Sequence, residues 1–126
     1  MKIQPSRRAG FTLVEILIVV TIIGLLCAIA IPNFVIARTN SIRGTCINNL
    51  RQIDSAKQQW ALETSQVPSA VPTVAQIQPY MGHGNGSVAN VYCPQDAGRS
   101  LATSYALGNV STQPICNIQP ATHLIP

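Results

Sequence analysis

Gly10-Phe11-Thr12-Leu13-Val14-Glu15-Ile16-Leu17-Ile18-Val19-Val20-Thr21-Ile22-Ile23-Gly24-Leu25-Leu26-Cys27-Ala28-Ile29-Ala30-Ile31-Pro32 is an almost unbroken apolar run near the start of a 126-residue chain. As a helix rising about 1.5 Å per residue, Phe11 to Ile31 covers roughly 31 Å, close to the ~30 Å hydrocarbon core of a bilayer. Lys2, Arg7 and Arg8 precede the run, and Arg38 and Arg43 follow it. The run therefore reads as a membrane-spanning helix with a positively charged leading end. Glu15 is the anomaly. A lone carboxylate in such a run costs about 2.5–3.5 kcal/mol at the bilayer centre and less toward an edge. It either reaches the headgroups or meets a cation when chains assemble.

Gly10-Phe11-Thr12-Leu13-Val14-Glu15 behind a basic leader resembles the prepilin motif of type IV pilins and type II secretion pseudopilins. The resemblance implies cleavage between Gly10 and Phe11 by a membrane peptidase, N-methylation of Phe11, and loss of residues 1–10. Cleavage creates an α-amino cation at Phe11. The resemblance further implies that Glu15 pairs with the Phe11 amine of a neighbouring subunit. Two other processing signals are weaker. Ala28-Ile29-Ala30 looks like a signal-peptidase site, but the run is longer than the 7–15 residues typical of a signal core. Leu25-Leu26-Cys27 hints at lipoprotein processing, but a bulky leucine precedes the cysteine.

The formal charge of +4 belongs largely to the leader. After cleavage Arg38, Arg43, Arg51, Lys57 and Arg99 face Glu15, Asp54, Glu63 and Asp96, one positive charge in excess. No basic face survives to argue for nucleic acid. The leader charge fits the positive-inside rule, with the leader cytoplasmic and everything after Pro32 outside.

Gly24 and Pro32 are the weak points of the helix. Proline lacks the donor for the Ala28 carbonyl and clashes with it, and glycine adds backbone freedom. The resemblance implies that order between them is lost on assembly. Beyond Pro32 the pattern turns amphipathic. Ile42, Cys46, Leu50, Ile53, Ala56 and Trp60 form one stripe, predicting that the helix continues to about Glu63 and lays this stripe on a core.

Residues 64–72 read as loop. Thr73-Val74-Ala75-Gln76 reads as a capping box opening a short helix that ends near Pro79-Tyr80. Met81 to Ser87 is a glycine-rich loop without the lysine of a phosphate-binding loop, and His83 in it is read as solvent-facing. Three short strands are expected, at Ala89–Cys93, around Leu101 to Leu107, and at Val110–Cys116. Asn48 to Gln52 and the region from Cys93 to Cys116 resemble short pseudopilin-like proteins. The fold expected is α+β and pilin-like: a long N-terminal helix against a small C-terminal antiparallel sheet. Its parts are a leader at 1–10, a transmembrane and filament-core helix at 11–32, an amphipathic continuation at 33–63, and a small globular region at 64–126.

Cys27 packs as a small hydrophobe inside the run. Cys93 and Cys116 would face an oxidising compartment, and a disulfide between them would contribute about 3 kcal/mol. Cys46 is left over and could replace either partner. No metal is expected, because His83 and His123 form no tight ligand pair with a cysteine. Calcium, which several secretion pseudopilins bind, needs more carboxylates than Asp96 supplies after Glu63. No Ser/His/Asp set or paired carboxylates stand out, so no enzyme and no cofactor are expected.

The function implied is a structural subunit, cleaved by a prepilin peptidase and N-methyltransferase at the bacterial inner membrane. It then joins its own copies and other pilin-like subunits, through an inner-membrane assembly platform, in an extracytoplasmic filament. The alternatives are a minor tip subunit that binds a ligand or DNA, and a single-pass anchor that never polymerises.

Overall fold

A computed structural model describes residues 10–82 and 87–126. The basic leader residues Lys2, Arg7 and Arg8, together with His83, lie outside the described residues. The chain divides into two units, one up to Ala37 and one from Arg38 onward.

In the first unit, helix α1 begins at Leu13; the element as a whole is Leu13–Glu63, 51 residues. Pro32 lies inside it. Proline cannot donate to the Ala28 carbonyl, and at the next residue Asn33 Nδ2 donates to the Ile29 carbonyl at 3.2 Å. Every residue from Gly10 to Ala37 is exposed in the single chain.

In the second unit α1 behaves as the stripe predicts. Cys46, Leu50, Ile53, Ala56 and Trp60 are buried, and Ile42 is half-buried. The helix stops at Glu63 through a Schellman-type closure. Ser65 takes a left-handed φ of 51°, and the Gln66 N–H donates to the Ala61 carbonyl at 2.9 Å.

Helix α2 (Val74–Ile77) runs into a 3-10 turn at Gln78–Tyr80. Its capping box forms, with the Thr73 N–H donating to Gln76 Oε1 at 2.8 Å. Ile77 and Met81 enter the core beside Val91, Leu101, Tyr105, Val110 and the α1 stripe.

The sheet is smaller than expected. It has two antiparallel strands among the described residues, β1 (Tyr105–Ala106) and β2 (Ile115–Cys116), with Tyr105 opposite Cys116. The strand expected at Ala89–Cys93 is replaced by a 3-10 turn at Ser87–Asn90 and a loop. The alternation from Leu101 to Leu107 is broken as well. Ser100 Oγ accepts from the Thr103 N–H, capping a short helix α3 (Leu101–Ser104) that buries Leu101 and Ser104 three apart. An N-cap serine offers the first turn a bond that the strand pattern ignored.

Two polar side chains share the buried face of α1. Lys57 is fully buried, and its ammonium donates to the carbonyls of Leu107 (2.8 Å), Asn109 (3.1 Å) and Thr112 (2.6 Å). Asp54 Oδ1 lies 3.6 Å from it. Burial pushes the lysine below its usual range, and Asp54 partly opposes that. Asn49 Nδ2 donates to the Tyr92 carbonyl and to the Tyr105 hydroxyl. Lys57 thus gathers the turn between the strands onto the helix. Gly108 sits in that turn at φ +64°, where a Cβ would come 2.6 Å from Thr112 Oγ1.

Candidate functional site

The leading end of α1 is organised by Thr12 and Glu15. The Thr12 N–H and hydroxyl donate to Glu15 Oε2 at 2.8 and 2.9 Å, and the Glu15 N–H donates to Thr12 Oγ1 at 3.2 Å. This is a reciprocal capping box, satisfying two backbone donors at the helix start. Glu15 therefore has a role inside its own chain that the sequence reading missed. The signal was present as Thr-x-x-Glu before an apolar run. Among the described residues, both bonds to the carboxylate fall on Oε2. Gly10 and Phe11 lie just outside the helix and are exposed, Phe11 at 85%.

The apolar side chains that follow are exposed among the described residues. Leu13, Leu25, Ile29 and Phe34 each expose more than half of their surface. The helix is long and apolar enough to cross a membrane. Contiguous apolar surface on this scale marks a site that something else must cover. Gly24 has open space around it, and Pro32 lies within continuous helix.

The cysteines present a second constellation. All four are free, and Cys27 is exposed on α1. Cys93 and Cys116, the pair expected to bridge, are both free in this structure. Cys93 Sγ instead lies 2.8 Å from the sulfur of Cys46, the cysteine left over in the sequence reading. That residue falls on the buried stripe of α1, which carries its sulfur to the heart of the unit. His123 Nδ1 lies 3.8 Å from Cys116 Sγ. The ligand atoms of Cys46, Cys93, Cys116 and His123 all fall within 4.8 Å of one another, and all four residues are buried. The fold returns the C-terminal turn to β2 and so brings His123 beside cysteines that lie far from it in the chain.

Other groups hold this cluster in place. Ser104 Oγ accepts from the Cys93 N–H at 2.9 Å and donates to Asp96 Oδ2 at 2.6 Å. The Gly98 N–H and the Thr103 hydroxyl also donate to Asp96. These donors, Ser104 first, hold its carboxyl below the usual range. Burial, then the neighbouring Cys93, pushes the Cys46 thiol up to about 12. Burial also raises the Cys116 thiol, while the backbone N–H groups of Gln119 and Ile118 act against it. Burial lowers His123, and Arg43 adds to that effect.

Residues 5–31 match the family described as the prokaryotic N-terminal methylation motif. The chain is similar to the type IV major pilin protein PilA of Myxococcus xanthus, 44% identical over 57 residues, which are 45% of this chain and 26% of that protein. It is also similar to type II secretion system core protein G. The Pectobacterium carotovorum protein is 29% identical over 79 residues, 58% of this chain and 51% of that one. The Klebsiella pneumoniae protein is 30% identical over 64 residues, 51% of this chain and 46% of that one. The chain spans about half the length, or less, of these curated relatives. No solved structure matches it. The N-terminal segment thus carries a prepilin-type methylation motif, and the relatives are a pilin and secretion-system core proteins.

Proposed function

We propose that this chain is a structural subunit of a type IV pilus or of a type II secretion pseudopilus. The observation that carries the reading is the coincidence of the methylation motif with a helix long and apolar enough to cross a membrane, its apolar side chains exposed among the described residues. Residues 1–10 serve as the leader, cut between Gly10 and Phe11, and Phe11 is then methylated. Residues 11–32 anchor the chain in the inner membrane with the N-terminus cytoplasmic. Residues 33–63 continue the helix amphipathically, and 64–126 form the globular part facing outward.

On assembly the anchor leaves lipid for neighbouring helices, which satisfy the same apolar surface. Glu15 receives the Phe11 amine of the neighbouring copy at Oε1, while Thr12 holds Oε2. Gly24 and Pro32 bound the stretch that loosens in the filament. The partners are other copies of this chain, further pilin-like subunits, a prepilin peptidase that also methylates, and an assembly platform. The role is structural rather than enzymatic.

Intact-mass measurement of the membrane fraction tests this reading. The expected product lacks residues 1–10 and carries one added methyl group. It is also expected in sheared or detergent-extracted fibres. A product that still begins at Met1 in working fibres, or cells that make the same fibres without this protein, would overturn it.

A further inference from the structure

We propose that Cys46, Cys93, Cys116 and His123 form a closed structural site for one zinc ion, independent of the filament role. Four soft or borderline donors converge from four separate segments: α1, the loop after the Ser87–Asn90 turn, β2 and the C-terminal turn. Three thiolates and one imidazole make a complete tetrahedral zinc set with no position left for substrate. Zinc–sulfur bonds of about 2.3 Å and a zinc–nitrogen bond of about 2.0–2.1 Å place tetrahedral ligand atoms roughly 3.6–3.8 Å apart. The Cys116 Sγ to His123 Nδ1 distance is already 3.8 Å. The Cys46–Cys93 pair, at 2.8 Å, has to open by about 1 Å, and the others stay within their 4.8 Å limit.

The ligand loop is also held from outside: the Cys93 N–H donates to Ser104 Oγ at 2.9 Å, and Ser104 Oγ donates in turn to Asp96 Oδ2 at 2.6 Å. Such outer contacts orient ligands. Each thiol loses its proton as its sulfur–zinc bond forms, so three protons leave as the ion enters. The loaded set carries one net negative charge. Hard cations do not suit this donor set.

The site also meets a structural need. The sheet is two residues deep, and small units with so little regular structure are commonly held by metals or disulfides. Zinc here would tie β2 and the chain end to α1.

The test uses the full processed chain in detergent micelles, stripped with chelator under reducing conditions and titrated with cobalt(II). The expected result is one cobalt per chain, with the intense visible bands of tetrahedral cobalt and sulfur-to-cobalt charge transfer. Zinc should displace it, and calcium should not. Thermal stability should fall on stripping and return with zinc. His123→Gln, which keeps all three sulfurs, should retain charge transfer while weakening zinc binding and shifting the visible bands. Cys27→Ser should change nothing. Should the Cys46, Cys93 or Cys116 serine variants fail to fold, alkylation of the untreated wild-type chain in denaturant with chelator still decides. Four reactive thiols are expected. Two reactive thiols, reporting a disulfide within the cluster, or the absence of a tetrahedral cobalt spectrum, would overturn the proposal.

Discussion

Replacing Lys57 with methionine removes a buried cation and leaves its hydrocarbon stem nearly unchanged in volume. The ammonium donates to three carbonyls in the turn between the strands. Hydrogen bonds from charged donors are worth about 1.5–3 kcal/mol each, so the gross loss is roughly 4.5–9 kcal/mol. Against that, the variant no longer desolvates an ammonium, a term of several kcal/mol. The lowered pKa of Lys57 reports the same penalty. The net expected loss is about 2–4 kcal/mol, dominated by carbonyls left short of a donor. Asp54, whose side chain is 33% exposed, can return to water. Asp54→Asn should therefore cost less than about 1 kcal/mol. Urea unfolding of the processed chain in micelles, followed by the fluorescence of the sole tryptophan, reads both variants. Trp60 is one turn along α1 from Lys57 and 6% exposed, so its emission reports this packing. A loss below about 1 kcal/mol for Lys57→Met would refute the reasoning, since it would mean that water replaces the ammonium without cost.

The two roles of Glu15 can be separated. Glu15→Gln keeps a capping acceptor and removes the charge, so it should leave helix content and processing intact but sharply reduce fibre yield in a shearing assay; normal yield would refute the inter-subunit pairing. Thr12→Val removes the reciprocal cap at about 1 kcal/mol of local helix stability, seen as faster amide exchange at the helix start, and should spare the charge. Gly108→Ala forces a Cβ against Thr112 Oγ1 at positive φ and should destabilise the chain by about 2–3 kcal/mol in urea. Because it displaces the same carbonyls, its effect combined with Lys57→Met should be less than additive. Tyr80 donates to Glu63 Oε2 at 2.7 Å, and that bond raises its phenol above the ordinary value of 10.0. The folded state therefore holds this proton more tightly than the unfolded one, so the stabilisation is complete below pH 10.0 and is lost as pH climbs through the raised value. The gap in thermal midpoint between wild type and Tyr80→Phe should be flat from neutral pH and shrink above that point.

Much of the molecule is legible in local pattern. The apolar run, the α1 stripe to Trp60, the stop near Glu63 and the Thr73 capping box all follow from periodicity and capping chemistry, which act over one or two turns. The strands were harder to read. Leu101 to Leu107 alternates like a strand, yet a serine cap turned its first half into a helix. Lys57 sits at stripe spacing, four from Ile53 and three from Trp60, but a charged residue reads as solvated until its acceptors are known. Those acceptors lie about fifty residues along the chain and cannot be found by spacing.

Sequence alone determined the N-terminal half: a processing motif, a helix length matched to a bilayer, and a solitary carboxylate. These depend on neighbours within a few residues and on transfer energies that composition already contains. Tertiary structure alone decided where the cysteines and His123 lie relative to one another. Which sulfur meets which depends on where α1 presents Cys46 and on how the last turn folds back onto β2. Those are long-range closures, set by packing of the whole unit, and no short stretch of sequence encodes them.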